Sequence, residues 1–507
     1  MNEWTPIANG GALELGAVPR RDPASFFEAT RHALASGGRM VAFFGLPDDP
    51  QLAASPDATR LVAVVAREGE ARLRLATTSV RDGFPSLTPE FPQMHRFERE
   101  VHEQWGLVPD EHPWLKPVRF QKPYRVPAGR SAAVPTIGVT DFFRVSGREI
   151  HEVAVGPVHA GVIEPGHFRF QCHGEHVLHL EIALGYQHRG VERALLGGPD
   201  RRTRHYIETA AGDTSVGHGL AYAQICEALA GVRVSDEARA QRAVALELER
   251  LACHTGGLGA LAGDVAFLPT ASYCGRIRGD FLNMTALLCG NRFGRGLVVP
   301  GGLGFDVDAE RAGELRRRID VAEADVTSAV ELLWSTPSVL ARFQGTGAIS
   351  SELVRAMGFV GVTARAAGVP RDVRRDFPAS GEEGSELPVR TSDTGDVHAR
   401  AFVRWREIQD SLGFVRSHAA VLSADAARTA VGAPRADRIA VALVEGWRGE
   451  ICHVAITDGG GRFGCYKIVD PSFHNWAALA HALRDQQISD FPLCNKSFDL
   501  SYCGQDL

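Results

Sequence analysis

No two of the nine cysteines stand in a C-x-x-C pair; they fall at Cys172, Cys226, Cys253, Cys274, Cys289, Cys452, Cys465, Cys494 and Cys503. An iron–sulfur cluster held by this chain alone is therefore not expected. The odd number argues against a disulfide framework and fits a reducing compartment, with the thiols serving as small buried hydrophobes. No run approaches the ~20 apolar residues of a spanning helix, so membrane association would have to come through partners. Met1-Asn2-Glu3-Trp4 offers neither a basic nor an apolar leader segment, and no signal peptide is expected. There is no G-x-G-x-x-G and no Walker motif, and Gly301-Gly-Leu-Gly304 is too short to substitute, so NADH binding by this chain is not expected. An excess of basic charge is also missing: the net charge of −6 argues against nucleic acid as a partner.

What is present is a chain of 507 residues, long enough for two or more domains around a sizeable core. Residues 1–120 read as a separate α/β unit. Ala24 to Ala35 has helical periodicity, and Arg39 to Leu46, Leu61 to Ala66 and Ala71 to Thr77 are β-branched or apolar runs broken by polar turns. Residues 121–150 are rich in proline, glycine and serine, as in a linker. From His151 onward alternation between Phe168 and Leu180 predicts paired strands. Helices are predicted from Ser215 to Leu229, from an N-cap at Ser235 to His254, from Ala309 to Leu333 and from Ala399 to Gly413. Residues 376–396 read as a loop. Ile439 to Val444, Glu450 to Ile456 and Phe463 to Ile468 read as strands, with Gly459-Gly-Gly461 as a tight turn. The fold class expected is α+β.

Two sets of motifs carry a resemblance. His95-Arg-Phe-Glu-Arg-Glu100, with His112-Pro113 beyond it, resembles the signature of the complex I C subunit, the thirty-kilodalton family. His188-Arg-Gly-Val-Glu192 resembles the His-Arg-Gly-x-Glu segment shared by nickel–iron hydrogenase large subunits and the complex I D subunit. Asn291-Arg-Phe-Gly294 followed by Pro300-Gly-Gly302 resembles a further D-subunit segment. A C-like domain (1–120), a linker (121–150) and a D-like domain (151–507) in one chain resemble the large subunits of formate hydrogenlyase and hydrogenase-4. The resemblance implies a mostly helical second domain with small sheets.

The family's metal site needs four thiolates at fixed spacing, because nickel and iron select soft ligands. Aligned on His218, Ala211 and Thr214 occupy the first two ligand positions; aligned on Asp499, Ser501 and Gly504 occupy the last two, with Cys503 one residue out of place. No metal site is therefore expected. In the family such chains are trimmed beyond the last cysteine, and here no trimming step is expected before Leu507; Phe491, Leu493, Phe498 and Leu500 should bury the tail.

His159 lies in a Gly-Pro-x-His segment that lines the quinone chamber in complex I. Ile163 and Gly212 replace the second histidine and the tyrosine that the family uses for the quinone headgroup. His159, Glu164, His167 and Asp213 remain as candidates for a proton or acceptor site, since pairing and burial bring carboxylate and imidazole groups into proton exchange. Asp213 and Asp499 could place carboxylates in the emptied cavity, where oxygen ligands suit Mg²⁺ or protons. Arg189 and Glu192, three apart on a helix, could pair with each other.

The resemblance implies a subunit of a membrane-associated, complex I-like or hydrogenase-4-like oxidoreductase, related to NADH-quinone oxidoreductase, with an electron-transfer or proton-coupling role. Two alternatives stand beside it: reduction of a quinone or other small acceptor in the vacated cavity, and a non-catalytic scaffold. The implied partners are an iron–sulfur small subunit of complex I B type, membrane proton-translocating subunits and a ferredoxin-like electron-carrying subunit. No cofactor is expected on this chain alone. The implied location is the cytoplasmic face of the cell membrane.

Overall fold

A single four-stranded antiparallel sheet divides the molecule into two cores. Its strands run in the order Phe463–Val469, Gly449–Thr457, Arg438–Gly446 and Gly11–Glu14. The computed structural model describes residues 4–47, 58–126, 134–159, 163–379, 386–423 and 428–507. Alternation in the sheet is strict, as period 2 requires. Ile439, Val441, Leu443, Cys452, Val454 and Ile456 face one core. Ala440, Ala442, Val444, Ile451 and Ala455 face the other.

The first core holds the N-terminal sheet. Thr5–Ile7, Leu73–Val80, Thr59–Ala66 and Arg39–Gly45 are antiparallel neighbours, and Arg20–Arg21 adds to Leu73–Val80 in parallel. The Pro23–Ala35 helix covers it, started by Asp22, whose carboxylate accepts from Ser25 N. The His95–Trp105 helix ends at Gly106 in the left-handed conformation. This unit shares its core with the four-stranded sheet: Gly11–Glu14 pairs with Arg438–Val441, and the Phe97 ring lies 5.1 Å from that of Phe473, tilted by 52°.

The second core is helical. Ser215–Ala230 is buried on nearly every face and lies against the sheet, where a Cβ on Gly217 would come within 2.8 Å of Ile451. Asp236–Asp264 packs beside it and is itself flanked by Leu268–Cys289 and Val397–His418, with Ala309–Trp334 against both of those. Ser235 caps the Asp236–Asp264 helix by accepting from Ala238 N. That helix does not stop at His254 but continues to Asp264. Gly256, Gly257 and Gly259 read as a terminator in sequence. Here Gly256 and Gly259 let the neighbouring helix approach closely, since a Cβ on the first would sit 2.6 Å from Arg278 Cδ and one on the second 2.7 Å from the Cβ of Cys274. Tertiary packing outweighs the ~1 kcal/mol that each glycine costs a helix.

A three-stranded sheet, Ile150–Val155, His167–His173 and His176–Ala183, flanks the bundle. Residues 121–126 and 134–149 form no helix or strand, while 127–133 of the expected linker lie outside the described residues. The expected loop around 376–396 has no regular structure at 377–379 and 386–395, and 380–385 lie outside the described residues. Phe491, Leu493, Phe498 and Leu500 are all buried. So are all nine cysteines, each a free thiol. Among the described residues no helix is long and apolar enough to cross a membrane.

Candidate functional site

Three segments converge beside the sheet: the loop 185–192, the loop 209–214 before the Ser215–Ala230 helix, and the tail 499–507. Asp506 joins the first and last, accepting from Gly185 N and Gln187 N at 2.9 Å each. Arg189 N and Gly190 N donate to Leu507 O at 2.8 and 3.0 Å. The Arg189 guanidinium donates to Thr209 O, Ala210 O and Cys503 O, clamping all three segments. The expected Arg189–Glu192 pairing does not form, because each finds better partners across the fold. Glu192 instead takes Lys467 Nζ at 3.0 Å and accepts from Ile468 N.

The four positions where the family would place thiolates are Ala211, Thr214, Ser501 and Gly504. Thr214 Oγ1 accepts from Trp447 Nε1 and Arg448 Nη1, both at 3.2 Å. Ser501 Oγ caps the short Tyr502–Asp506 helix by accepting from Gly504 N at 2.9 Å. Gly504 faces Asp470, whose carboxyl carbon lies 2.7 Å from where a Cβ would be. Neither alanine nor glycine offers a donor, and hydroxyls do not replace thiolates toward nickel. The residues present do not fit a nickel–iron centre.

A guanidinium crosses the site instead. Arg448 pairs with both oxygens of Asp213, at 2.6 and 2.8 Å, and its Nε donates to Asp499 O at 2.5 Å. It thus ties the first ligand segment to the second by a bidentate, charge-assisted contact. Asp213, Asp499 and Asp470 outweigh the cost of burial and keep Arg448 firmly protonated. Glu249 holds the adjoining helix start, accepting from Val216 N at 2.7 Å and Gly217 N at 3.1 Å.

The candidate residues occupy different places around this centre. Asp213 is the half-exposed partner of Arg448. Asp499, the second proposed carboxylate, takes Lys496 Nζ at 2.8 Å. Both carboxylates are thus neutralised by side-chain cations. Among the described residues no cluster of three histidine, cysteine or acidic side chains could hold a metal ion. Glu164 accepts from Gln187 Nε2 at 3.2 Å and also bonds the Cys503 thiol, which burial pushes up to about 11. His159 Nε2 lies 3.0 Å from Gly166 O, and His167 Nδ1 lies 3.3 Å from Gly156 O, so the two rings brace the same turn. Buried His167 Nε2 has no hydrogen-bond partner among the described residues. Glu164 reaches the tail and Asp213 reaches Arg448, but the four candidates do not form one hydrogen-bonded cluster among the described residues.

Sequence reasoning missed Arg448, Asp470, His453 and Tyr466. A signal existed for the first: Trp447-Arg448-Gly449-Glu450 interrupts two apolar strands with charge in a tight turn. The other three are polar groups set among buried apolar neighbours.

Residues 264–435 match the respiratory-chain NADH dehydrogenase 49 kDa subunit, and residues 41–130 match its 30 kDa subunit. Hydrogenase-4 component G of Escherichia coli is 27% identical over 83% of this chain and 76% of its own length. Formate hydrogenlyase subunit 5 of the same organism is 28% identical over 86% of this chain and 79% of its own length. NADH-quinone oxidoreductase subunit 4 of Thermus thermophilus is 28% identical over 69% of this chain and 92% of its own length. Among solved structures, the membrane-bound sulfane sulfur reductase, an archaeal respiratory membrane complex, shares the fold. The TM-score is 0.65 at 20% identity, over 71% of this chain and 99% of that one. Both matched units lie in one polypeptide, in the order seen in sequence. The chain thus carries a 30 kDa-type and a 49 kDa-type unit of respiratory-chain NADH dehydrogenase fused in one polypeptide, and it is similar in sequence to hydrogenase-4 component G and formate hydrogenlyase subunit 5.

Proposed function

We propose that this chain is the large subunit of a membrane-associated, complex I-like oxidoreductase whose nickel–iron site has been replaced by an ion pair, and that it couples protons or supports electron transfer. The observation that carries the proposal is the Arg448 guanidinium lying between Asp213 and Asp499 O, with none of the four ligand positions bearing a thiol. A cross-link made by protein groups holds the two segments together without a metal. The subunit would sit at the cytoplasmic face of the membrane. Its partners would be an iron–sulfur small subunit, a ferredoxin-like electron-carrying subunit and membrane proton-translocating subunits. Elemental analysis of the complex isolated from its native membranes tests this. Iron attributable to partner clusters and no nickel is the expected result; one nickel per chain would overturn it.

A second reading has a specific observation in its favour. Among the described residues His167 Nε2 is buried without a partner near the turn that carries Glu164, and with the ring protonated it would offer a donor to a quinone or another small acceptor. Glu164→Ala separates this from a pure scaffold role. Loss of electron transfer with assembly intact favours acceptor chemistry, and unchanged turnover favours the scaffold.

A further inference from the structure

Four side chains form an unbroken hydrogen-bonded line through the second core. Asp470 Oδ2 lies 3.2 Å from His218 Nε2, His218 Nδ1 lies 3.0 Å from His453 Nε2, and His453 Nδ1 lies 2.9 Å from the Tyr466 hydroxyl. All four are at most 2% exposed. His218 projects from the Ser215–Ala230 helix, whereas His453 and Tyr466 face it from adjacent strands. The proposed acceptor chemistry uses none of them, and the nickel-site argument uses only Asp470, as the neighbour of Gly504.

With neutral rings, one arrangement of the protons satisfies all three bonds. An ionised Asp470 only accepts, so His218 Nε2 carries a hydrogen. With both rings neutral, His218 Nδ1 then accepts, His453 Nε2 carries the second hydrogen, and His453 Nδ1 accepts from the Tyr466 O–H. Every donor points the same way, from Tyr466 toward Asp470. Burial, with His218 alongside, holds His453 well below the usual imidazole range and keeps it neutral.

The line joins two distinct places. At its inner end the Asp470 carboxylate abuts Gly504, in the former metal site, and feels the charge of Arg448. Beyond the outer end, Tyr222 and Cys226 follow His218 at four-residue steps on the same helix, act electrostatically on Tyr466, and line a cleft of about 450 Å³ bounded by Pro199, Pro300 and Thr429.

We infer that Tyr466, His453, His218 and Asp470 form a proton relay between that outer cleft and the vacated metal site. The inference rests on the proton-coupling reading and gives it a route. As His218 Nε2 passes its proton to the Asp470 carboxylate, the His453 Nε2 proton moves to His218 Nδ1. The Tyr466 proton moves to His453 Nδ1, and Tyr466 recovers a proton from the cleft side. One proton enters and one carboxylate is protonated, while both rings remain neutral and exchange tautomers. No oxidant or reductant is involved.

Hydrogen–deuterium exchange of the ring N–H groups in the full-length chain, labelled with ¹⁵N-histidine, tests the relay. The amides of the Gly449–Thr457 strand report local opening. A relay makes the ring protons of His218 and His453 exchange at least about tenfold faster than those amides. Tyr466→Phe, which removes the hydroxyl that hands a proton to His453 Nδ1, returns the ring protons to the amide rate. Opening alone predicts the opposite, since loss of the hydroxyl loosens the core and speeds both together. Ring and amide exchange in step in the natural protein would overturn the inference, whether or not the variant folds. Nickel analysis bears on the proposed function and is unaffected by this outcome.

Discussion

Asp470 and Gly504 exclude each other's alternatives: the Asp470 carboxylate oxygens lie 2.8 and 2.9 Å from the position of a Cβ on residue 504. The carboxylate is fixed there, because its other oxygen caps the Pro471–Ala482 helix through Ser472 N at 2.8 Å. Restoring a cysteine at that position is therefore more than a change of ligand. Gly504→Cys should lose about 1–3 kcal/mol from overpacking. It should also bind no nickel, even when the other three positions are made cysteine. Urea denaturation measures the first effect and elemental analysis the second.

The Arg448–Asp213 pair invites a charge-deletion cycle. Arg448→Met leaves Asp213 without its cationic partner and Asp499 O without the guanidinium donor, while Thr214 Oγ1 keeps only Trp447 Nε1. Because Asp213 is partly solvated, the loss should fall near the lower end of the range for buried pairs, about 3 kcal/mol. Adding Asp213→Asn should recover part of it, since no unpaired charge then remains. If the double variant is less stable than the sum of the singles, the bidentate pair is not what joins the segments.

Much of this architecture was legible in the chain, and what escaped did so for one physical reason. Ser235 and the run from Ile439 to Val444 are local signals, and each became the cap or strand it predicts. Cys-free ligand positions could also be read directly. The pairs that define the site are not local. Arg448 meets Asp213 and His453 meets His218 across 235 residues of sequence in each case. Local rules even misdirect here: Arg189 and Glu192 sit at an ion-pair spacing, yet Lys467 and three carbonyls claim them. The glycines after His254 look like a stop until the neighbouring helix shows what their missing side chains admit.

Asp499 gives the site an acid limit. Burial alone would raise its carboxyl, but Lys496, Arg448 and Arg404 outweigh it and hold the group at about 2 against an ordinary 3.8. A depressed carboxylate stabilises the fold above its unfolded value, and the contribution disappears as the pH falls through the folded one. The window is thus from about pH 4 down to about pH 2, worth about 2 kcal/mol. Asp499→Asn should flatten that part of the stability–pH curve and leave its shape above about pH 5 unchanged. A curve for the variant that parallels the natural protein through the window would contradict this assignment.

The N-terminal unit should depend on the rest of the chain. Arg39 donates to both oxygens of Glu450 at 2.8 and 2.6 Å, with both side chains at most 3% exposed. Glu68 bridges Arg39 and Arg371 beside them. Residues 1–126 by themselves would expose the face that meets Ile439, Val441, Leu443 and Val454, and would leave Arg39 without Glu450. Removing one partner of a buried pair costs about 3–5 kcal/mol, comparable to the whole stability of a small domain. Produced alone, 1–126 should be unfolded or aggregated by circular dichroism and size exclusion. Produced together with 134–507, it should form a one-to-one complex, because the interface is a shared core rather than a surface contact. In that complex Arg39→Met should weaken association about a hundredfold or more, 1.4 kcal/mol corresponding to each factor of ten. A folded, monomeric 1–126 would show that the shared sheet is a docking surface between two independent domains.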